Sequence, residues 1–148
     1  MDKRKVIETL TNKLNEQLED LQRSIASVNE SIKGEEKSSA GDKYETARAM
    51  NHIELDRLNN LYGNLIKSGT ILKNISSKEK HTAIRLGSLV QTSRRHLFFC
   101  GGMGKVHVAN ADILTMSMGS PIGQLFLGKK VGDSIVFNNS SEIIEDIQ

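Results

Sequence analysis

Leu14, Leu18, Leu21, Ile25, Val28 and Ile32 follow one another at steps of four, three, four, three and four residues. That stepping puts every one of them on a single seam of an α-helix, and a seam of this kind needs a partner. The chain carries one: Asn51, Leu55, Leu58, Tyr62 and Leu65 repeat the stepping with only Asn51 polar. Between the two runs lies GEEKSSAGD, residues 34–42, whose Gly and Ser residues break the period and fit a short turn between antiparallel neighbours. The pattern predicts a helical hairpin, an antiparallel coiled coil of two helices of roughly 30 residues, on the order of 45 Å long at ~1.5 Å per residue. Near the turn the second helix offers Tyr44, Ala47 and Arg48, so the end of the rod is expected to pack loosely and expose its side chains.

Past Ile71 the period changes. Short apolar runs separated by turn residues follow, GSLVQTS, RHLFFC, KVHVAN and ADILTMS, with GGMG as a break at 101–104; these read as strands. A short helix is predicted from Ser120 to Leu127, where Ser120 caps, Pro121 takes the first helical position and Gly128 ends it. Two more strands are expected near 133–138 and 142–147. The fold class is therefore α+β, with a helical hairpin at 1–74 and a mostly antiparallel β domain at 75–148. Hydrophobic residues at 37%, charged residues at 26%, one Pro and no Trp suit a chain with much exposed helix.

Charge excludes some functions. Residues 1–75 hold 12 Lys and Arg against 12 Asp and Glu, and residues 76–148 hold 8 against 6. Neither half has the clustered cations that neutralise phosphates, so weak or no direct DNA binding is expected. The single Cys100 allows no internal disulfide, and the four histidines share no metal-ligand spacing with it. With no apolar run of ~18 residues and a charged start in place of a signal peptide, a cytoplasmic protein without a membrane span is expected.

The residues richest in chemistry are Gly41-Asp42-Lys43-Tyr44-Glu45, at the turn of the hairpin. Two carboxylates three positions apart at a helix start lie on neighbouring faces. Hard divalent cations such as Mg²⁺ are held by one or two carboxylates with waters and substrate phosphates, so a protruding pair is suited to completing a metal site on another macromolecule. The same spacing is also a capping box, with Asp42 accepting from the Glu45 N–H while Glu45 reaches back, worth ~1 kcal/mol and needing no function. Local sequence leaves both open.

The far end of the chain adds context. Ser120-Pro121-Ile122-Gly123-Gln124-Leu125-Phe126-Leu127-Gly128-Lys129-Lys130-Val131-Gly132-Asp133 closely resembles the C-terminal signature of the Gre transcription factors. Ile84-Arg85-Leu86-Gly87-Ser88-Leu89-Val90 resembles the first strand of that family's FKBP-like domain, and Gly41-Asp42-x-x-Glu45-Thr46-Ala47 resembles its tip. The resemblance implies an FKBP-like domain that docks on RNA polymerase, with Ser120, Pro121 and Ile122 in the docking segment. It also implies a coiled coil that enters the secondary channel near the 3′ end of the nascent RNA. On this reading Asp42 and Glu45 are donated ligands to a Mg²⁺ shared with the polymerase active site. The factor binds no cofactor stably by itself, acts as a monomer, and is no enzyme: it stimulates the polymerase's own nuclease on backtracked transcripts.

The tip departs from the family pattern, in which Asn-Ala-Glu-Tyr usually follows the acidic Glu. Here Thr46-Ala47-Arg48-Ala49 replaces an acid with a base and removes an aromatic. That change favours an alternative, a channel-binding regulator that does not promote cleavage. Prolyl isomerisation is a weaker rival, because only Phe98, Phe99, Phe126 and Phe137 are available to line a pocket. Gly101–Gly104 lacks the Lys-Ser/Thr of a phosphate loop and reads as a hairpin turn. Arg94, Arg95, Lys105, Lys129 and Lys130 read as solvated surface, Cys100 as a buried structural thiol, and His81, His96 and His107 as ordinary strand or linker residues.

Overall fold

The computed structural model describes residues 1–36 and 41–148; residues 37–40, and the side chains of residues 35, 36 and 42, lie outside the described part. Two long helices, α1 (Lys3–Glu36) and α2 (Gly41–Lys73), precede β1 (Leu89–Thr92), β2 (His96–Phe99), β3 (Lys105–Val108) and β4 (Ala111–Met116). A short helix α3 (Pro121–Phe126) and strands β5 (Ser134–Phe137) and β6 (Ser140–Ile147) complete the α+β layout. The chain divides into two compact units. One comprises Lys13–Lys67; the other comprises Met1–Asn12 together with Ser68–Gln148.

The first unit is a pair of helices whose seam follows the heptads. Leu14, Ile32 and Leu58 are buried, while Leu18, Leu21, Ile25, Val28, Leu55, Tyr62 and Leu65 are half-buried between exposed polar residues. The Gln22 amide donates to the Tyr62 hydroxyl across the pair at 3.0 Å. Tyr44 and Ala47 continue the seam toward the turn as half-buried residues, whereas Arg48 is exposed. Two apolar rows zipped together in this way are enough to hold long helices that propensity alone would leave marginal.

The second unit is built on a mixed six-stranded sheet of order β3-β4-β2-β1-β6-β5. Four of its five pairings are antiparallel, as the sequence predicts, and β2–β4 is parallel. The β5–β6 connection is a two-residue loop, Asn138-Asn139, with φ of 49° and 59°. Left-handed residues at both positions give a turn whose twist matches the strands, and Asn tolerates that conformation. The segment resembling a first strand is shorter than its sequence suggests. Gly87 has φ of 85° and the Ser88 N–H bonds the Arg85 carbonyl at 3.0 Å, so 85–88 form a turn and strand pairing starts only at Leu89.

Strand alternation gives the sheet two apolar faces. Val90, Leu97, Phe99, Met116, Ile135, Ile144 and Ile147 meet Ile84 and Phe126 on one, with Met118 and Ile122 packed alongside. Phe99 and Phe126 stack tilted, centroids 5.6 Å apart. Leu89, Phe98 and Ile113 face the other way and are buried as well. Val6, Leu10 and Leu72 are buried in the same unit; Met1, Asp2 and Lys5 of the chain start share a cleft with Gln91 and His96. Each fully buried side chain of this size contributes ~2 kcal/mol or more, so the ends of the long helices are core material of the globular unit. Among the described residues no helix is long and apolar enough to cross a membrane.

Candidate functional site

The acidic end of the hairpin starts from Gly41, whose φ of 63° costs glycine nothing and whose missing side chain would have met no neighbour among the described residues. α2 begins there, so the Asp42 backbone falls inside the first turn. That is two places beyond the flanking position from which a capping box operates. The Asp42 side chain lies outside the described residues; Glu45 is exposed, Tyr44 half-buried, and Arg48, one turn further on, exposed. Carboxylates in a first turn are favoured by the unsatisfied N–H groups there.

Ser120, Pro121 and Ile122 form the start of α3. Ser120 is its N-cap: Oγ accepts from the Gly123 N–H at 3.0 Å and donates to the Ser117 carbonyl at 2.8 Å. Pro121 follows at the first helical position and is exposed, while Ile122 leans on the core. Gly123 is required by space, since a Cβ there would sit 2.1 Å from the Ser117 carbonyl oxygen. Beyond the helix, Gly128 (φ 77°) donates to the Ile84 carbonyl and Ile84 to the Lys129 carbonyl, both at 2.8 Å. Asp133 then closes the next turn by accepting from the Lys130 N–H at 2.8 Å. Most positions of the signature thus have folding jobs. What it offers outward is Pro121 with Leu125, Leu127 and Val131, the last three 41–57% exposed.

The other candidates fall into place around the sheet. Glu142, only 5% exposed, receives a hydrogen bond from Thr92 at 2.7 Å and two from Arg95. Burial pushes its carboxyl upward, but the bonds from Arg95 and Thr92 outweigh that and hold it below the usual range. Arg94 bonds Ser140, and Lys105 pairs with Asp112, which also meets His107 Nδ1 at 2.9 Å. Lys129 and Lys130 are exposed. Cys100 is a buried thiol pushed up to about 12, chiefly by burial, and so is inert as a nucleophile. Phe98, Phe99 and Phe126 are fully buried, which leaves Phe137 as the one partly exposed phenylalanine, too little to line an aromatic cleft.

His81 is the residue that sequence reasoning misjudged. It is buried, with Nδ1 2.6 Å from Ser88 Oγ, and among the described residues its Nε2 has no hydrogen-bond partner. Its partners stand at positions 3, 79, 85 and 88, and no spacing in the sequence announces such a group.

No protein-family model and no curated protein matches the chain. A solved structure described as "Structure of the transcription factor Gfh1" is similar over 94% of this chain and 93% of its own, at 21% identity and a TM-score of 0.38. A superposition that loose leaves the functional reading to the residues themselves.

Proposed function

We infer that this chain is an RNA polymerase-binding regulator of transcription elongation, which inserts the acidic end of its hairpin into the secondary channel and stimulates cleavage of backtracked transcripts. One observation carries the reading. The Ser120–Asp133 segment, with its Gre-like residue order, occurs in the same chain as Asp42 and Glu45, set where the second of two long helices begins. The globular unit docks through the segment around Ser120, Pro121 and Ile122, whose exposed neighbours include Leu125, Leu127 and Val131.

Asp42 and Glu45 would hold a Mg²⁺ shared with the polymerase. Hard oxygen donors in a first helical turn suit that ion, and Glu45 is exposed enough to reach it. The ion, when bound, neutralises charge developing on the phosphodiester and activates water. This chain's part is to bring two carboxylates to the site. A second reading rests on Arg48: its exposed cation one turn from Glu45 favours a regulator that occupies the channel without promoting cleavage.

The deciding experiment is a cleavage assay on a stalled, backtracked elongation complex. Replacing Asp42 and Glu45 together by Asn and Gln should abolish stimulation while leaving polymerase affinity and helix content nearly unchanged. Amides keep the shape and much of the hydrogen bonding of the acids. Loss of ligands acting in the transition state costs on the order of a hundredfold in rate or more, against ~1 kcal/mol of stability for a cap. Unchanged cleavage by the double variant would leave the pair as first-turn carboxylates with no part in cleavage. Binding without stimulation by the native protein would put the non-cleaving regulator first.

A further inference from the structure

α2 carries a second apolar row besides the one that builds the hairpin. Met50, Ile53 and Leu61 are 65%, 66% and 41% exposed, and Glu54 and Arg57 stand between them in the chain. At ~100° per residue these five positions fall in one strip of the helix about 100° wide. The strip lies roughly a quarter turn from the row of Leu55, Leu58, Tyr62 and Leu65, which is buried or half-buried in the seam. Single apolar residues on a surface are ordinary, whereas three in one strip of a helix make a packing face.

The order of residues along the strip decides what fits it. Met50, Glu54, Arg57 and Leu61 step by four, three and four, the spacing with which one helix meets another. From either end the row runs apolar, charged, charged, apolar, and its two charges are opposite. A second copy laid antiparallel, about a two-fold axis midway between Glu54 and Arg57, therefore matches it at every level. Met50 faces Leu61 of the second copy and Leu61 faces its Met50, while each Glu54 faces an Arg57. Ile53 falls beside the aliphatic stem of the opposite Arg57. Within one chain Arg57 already donates twice to the Glu54 carboxylate, at 2.8 and 2.7 Å, and both side chains are still about half exposed. The antiparallel arrangement sets these two ion pairs head to tail, so that charges alternate around the axis. A parallel copy in register would instead oppose Glu54 to Glu54 and Arg57 to Arg57, which is unfavourable.

We propose that the hairpin unit is also a self-association surface, on which two copies of this chain pack antiparallel through the Met50–Leu61 strip of α2. Each copy uses the same patch, so the contact closes on itself and stops at two. With five side chains from each copy it is a small interface of the weak, reversible kind. The single chain that the family resemblance implies is the form to which the pair dissociates. The inference draws only on the Lys13–Lys67 unit and is independent of the acidic tip and of the transcription reading.

The test is sedimentation equilibrium of the full chain from about 10 µM to about 1 mM. The mean mass should climb from the 16.4 kDa of one chain toward twice that value and no further, half-way at about 100 µM. Arg57→Glu gathers four carboxylates around the axis and should weaken pairing roughly tenfold or more. Combining it with Glu54→Arg restores alternating charges and should bring pairing back. Helix content, read by circular dichroism, is expected to stay constant; if the single variant loses helix, the double exchange decides, because it keeps an ion pair at the same spacing. Register is read with Met50→Cys and Leu61→Cys. A mixture of the two variants should form a disulfide-linked pair on oxidation and neither variant alone should, because like positions stand ~16 Å apart along the antiparallel pair against a limit of ~7 Å for a disulfide. Cys100 is buried and takes no part. A chain that stays single at every concentration would leave the strip to a different protein and overturn the proposal. So would growth beyond two copies, failure of the double exchange to restore pairing, or cross-linking of either cysteine variant alone.

Discussion

His81 is a buried imidazole held neutral, and that makes the globular unit sensitive to pH in a definite direction. In the unfolded chain the ring takes a proton near its ordinary pKa; in the folded unit burial, then Lys3 and Arg85, oppose protonation more strongly than Glu79 assists it. The unfolded state therefore binds more protons in the window just below the ordinary histidine range. The contribution of His81 to stability is complete above ~6.5 and is lost as pH falls through that value toward the lowered folded pKa. Urea midpoints should drop between about pH 8 and about pH 5, and His81→Gln should flatten that slope. An equal slope in the variant would transfer the effect to other groups. Nothing near position 81 in the sequence signals this. The pairing depends on Ser88 and Glu79 being folded back over the ring and on Lys3 arriving from the far end of the chain, and contacts of that kind leave no periodicity to read. Asp42 is the opposite case: its spacing to Glu45 is legible, but its side chain lies outside the described residues.

Among the elements, α3 shows how a short sequence fixes a local structure completely. Ser120, Pro121 and Gly128 are cap, first turn and exit, signals that act within a few residues and so survive in the sequence. Gly123 adds a constraint that the sequence hides. Alanine is intrinsically a better helix former than glycine by ~1 kcal/mol, so propensity alone predicts that Gly123→Ala stabilises. The 2.1 Å approach to a backbone carbonyl oxygen reverses the sign, because backbone cannot swing aside like a side-chain end. The variant is expected to lose about 3 kcal/mol, read from thermal unfolding of the sheet. An unchanged midpoint would show that the Ser117 turn yields. The long helices were legible for a related reason, since heptads are local, yet the same stepping concealed a change of role. Val6 and Leu10 precede Leu14 at intervals of four and look like more seam, whereas they are fully buried in the unit that holds the sheet.

For the whole molecule, that grouping is a statement about what folds with what. A fragment of residues 75–148 lacks Val6, Leu10 and Leu72, three side chains no more than 2% exposed that belong to the same compact unit. Losing three such side chains removes ~6 kcal/mol or more of burial, comparable with the whole stability of a small domain. The fragment should therefore bind a hydrophobic dye and lack sharp amide dispersion. Residues 1–12 joined by a short flexible linker to 68–148 should regain a cooperative melt. Independent folding of 75–148 would instead support the division at residue 74 expected from the sequence. Strand order was the least readable feature. Strand positions follow from alternation, but the parallel β2–β4 pairing and the place of β6 between β1 and β5 are decided by packing between distant segments.

The position of β6 has a consequence in time. It is the sixth strand in chain order yet an interior one in space, holding β1 on one side and β5 on the other and carrying Ile144 and Ile147 into the core. Val6 and Leu10, near the start of the chain, meanwhile wait for the rest of their unit, which begins only at Ser68. Contacts so far apart in sequence must close large loops before they return any energy, and such topologies fold slowly. The hairpin needs only its own residues and can zip early. During synthesis a finished coiled coil should precede a sheet that stays open, its edges unpaired, until β6 has cleared the ribosome, and a nascent chain arrested before that point is where protease sensitivity will concentrate.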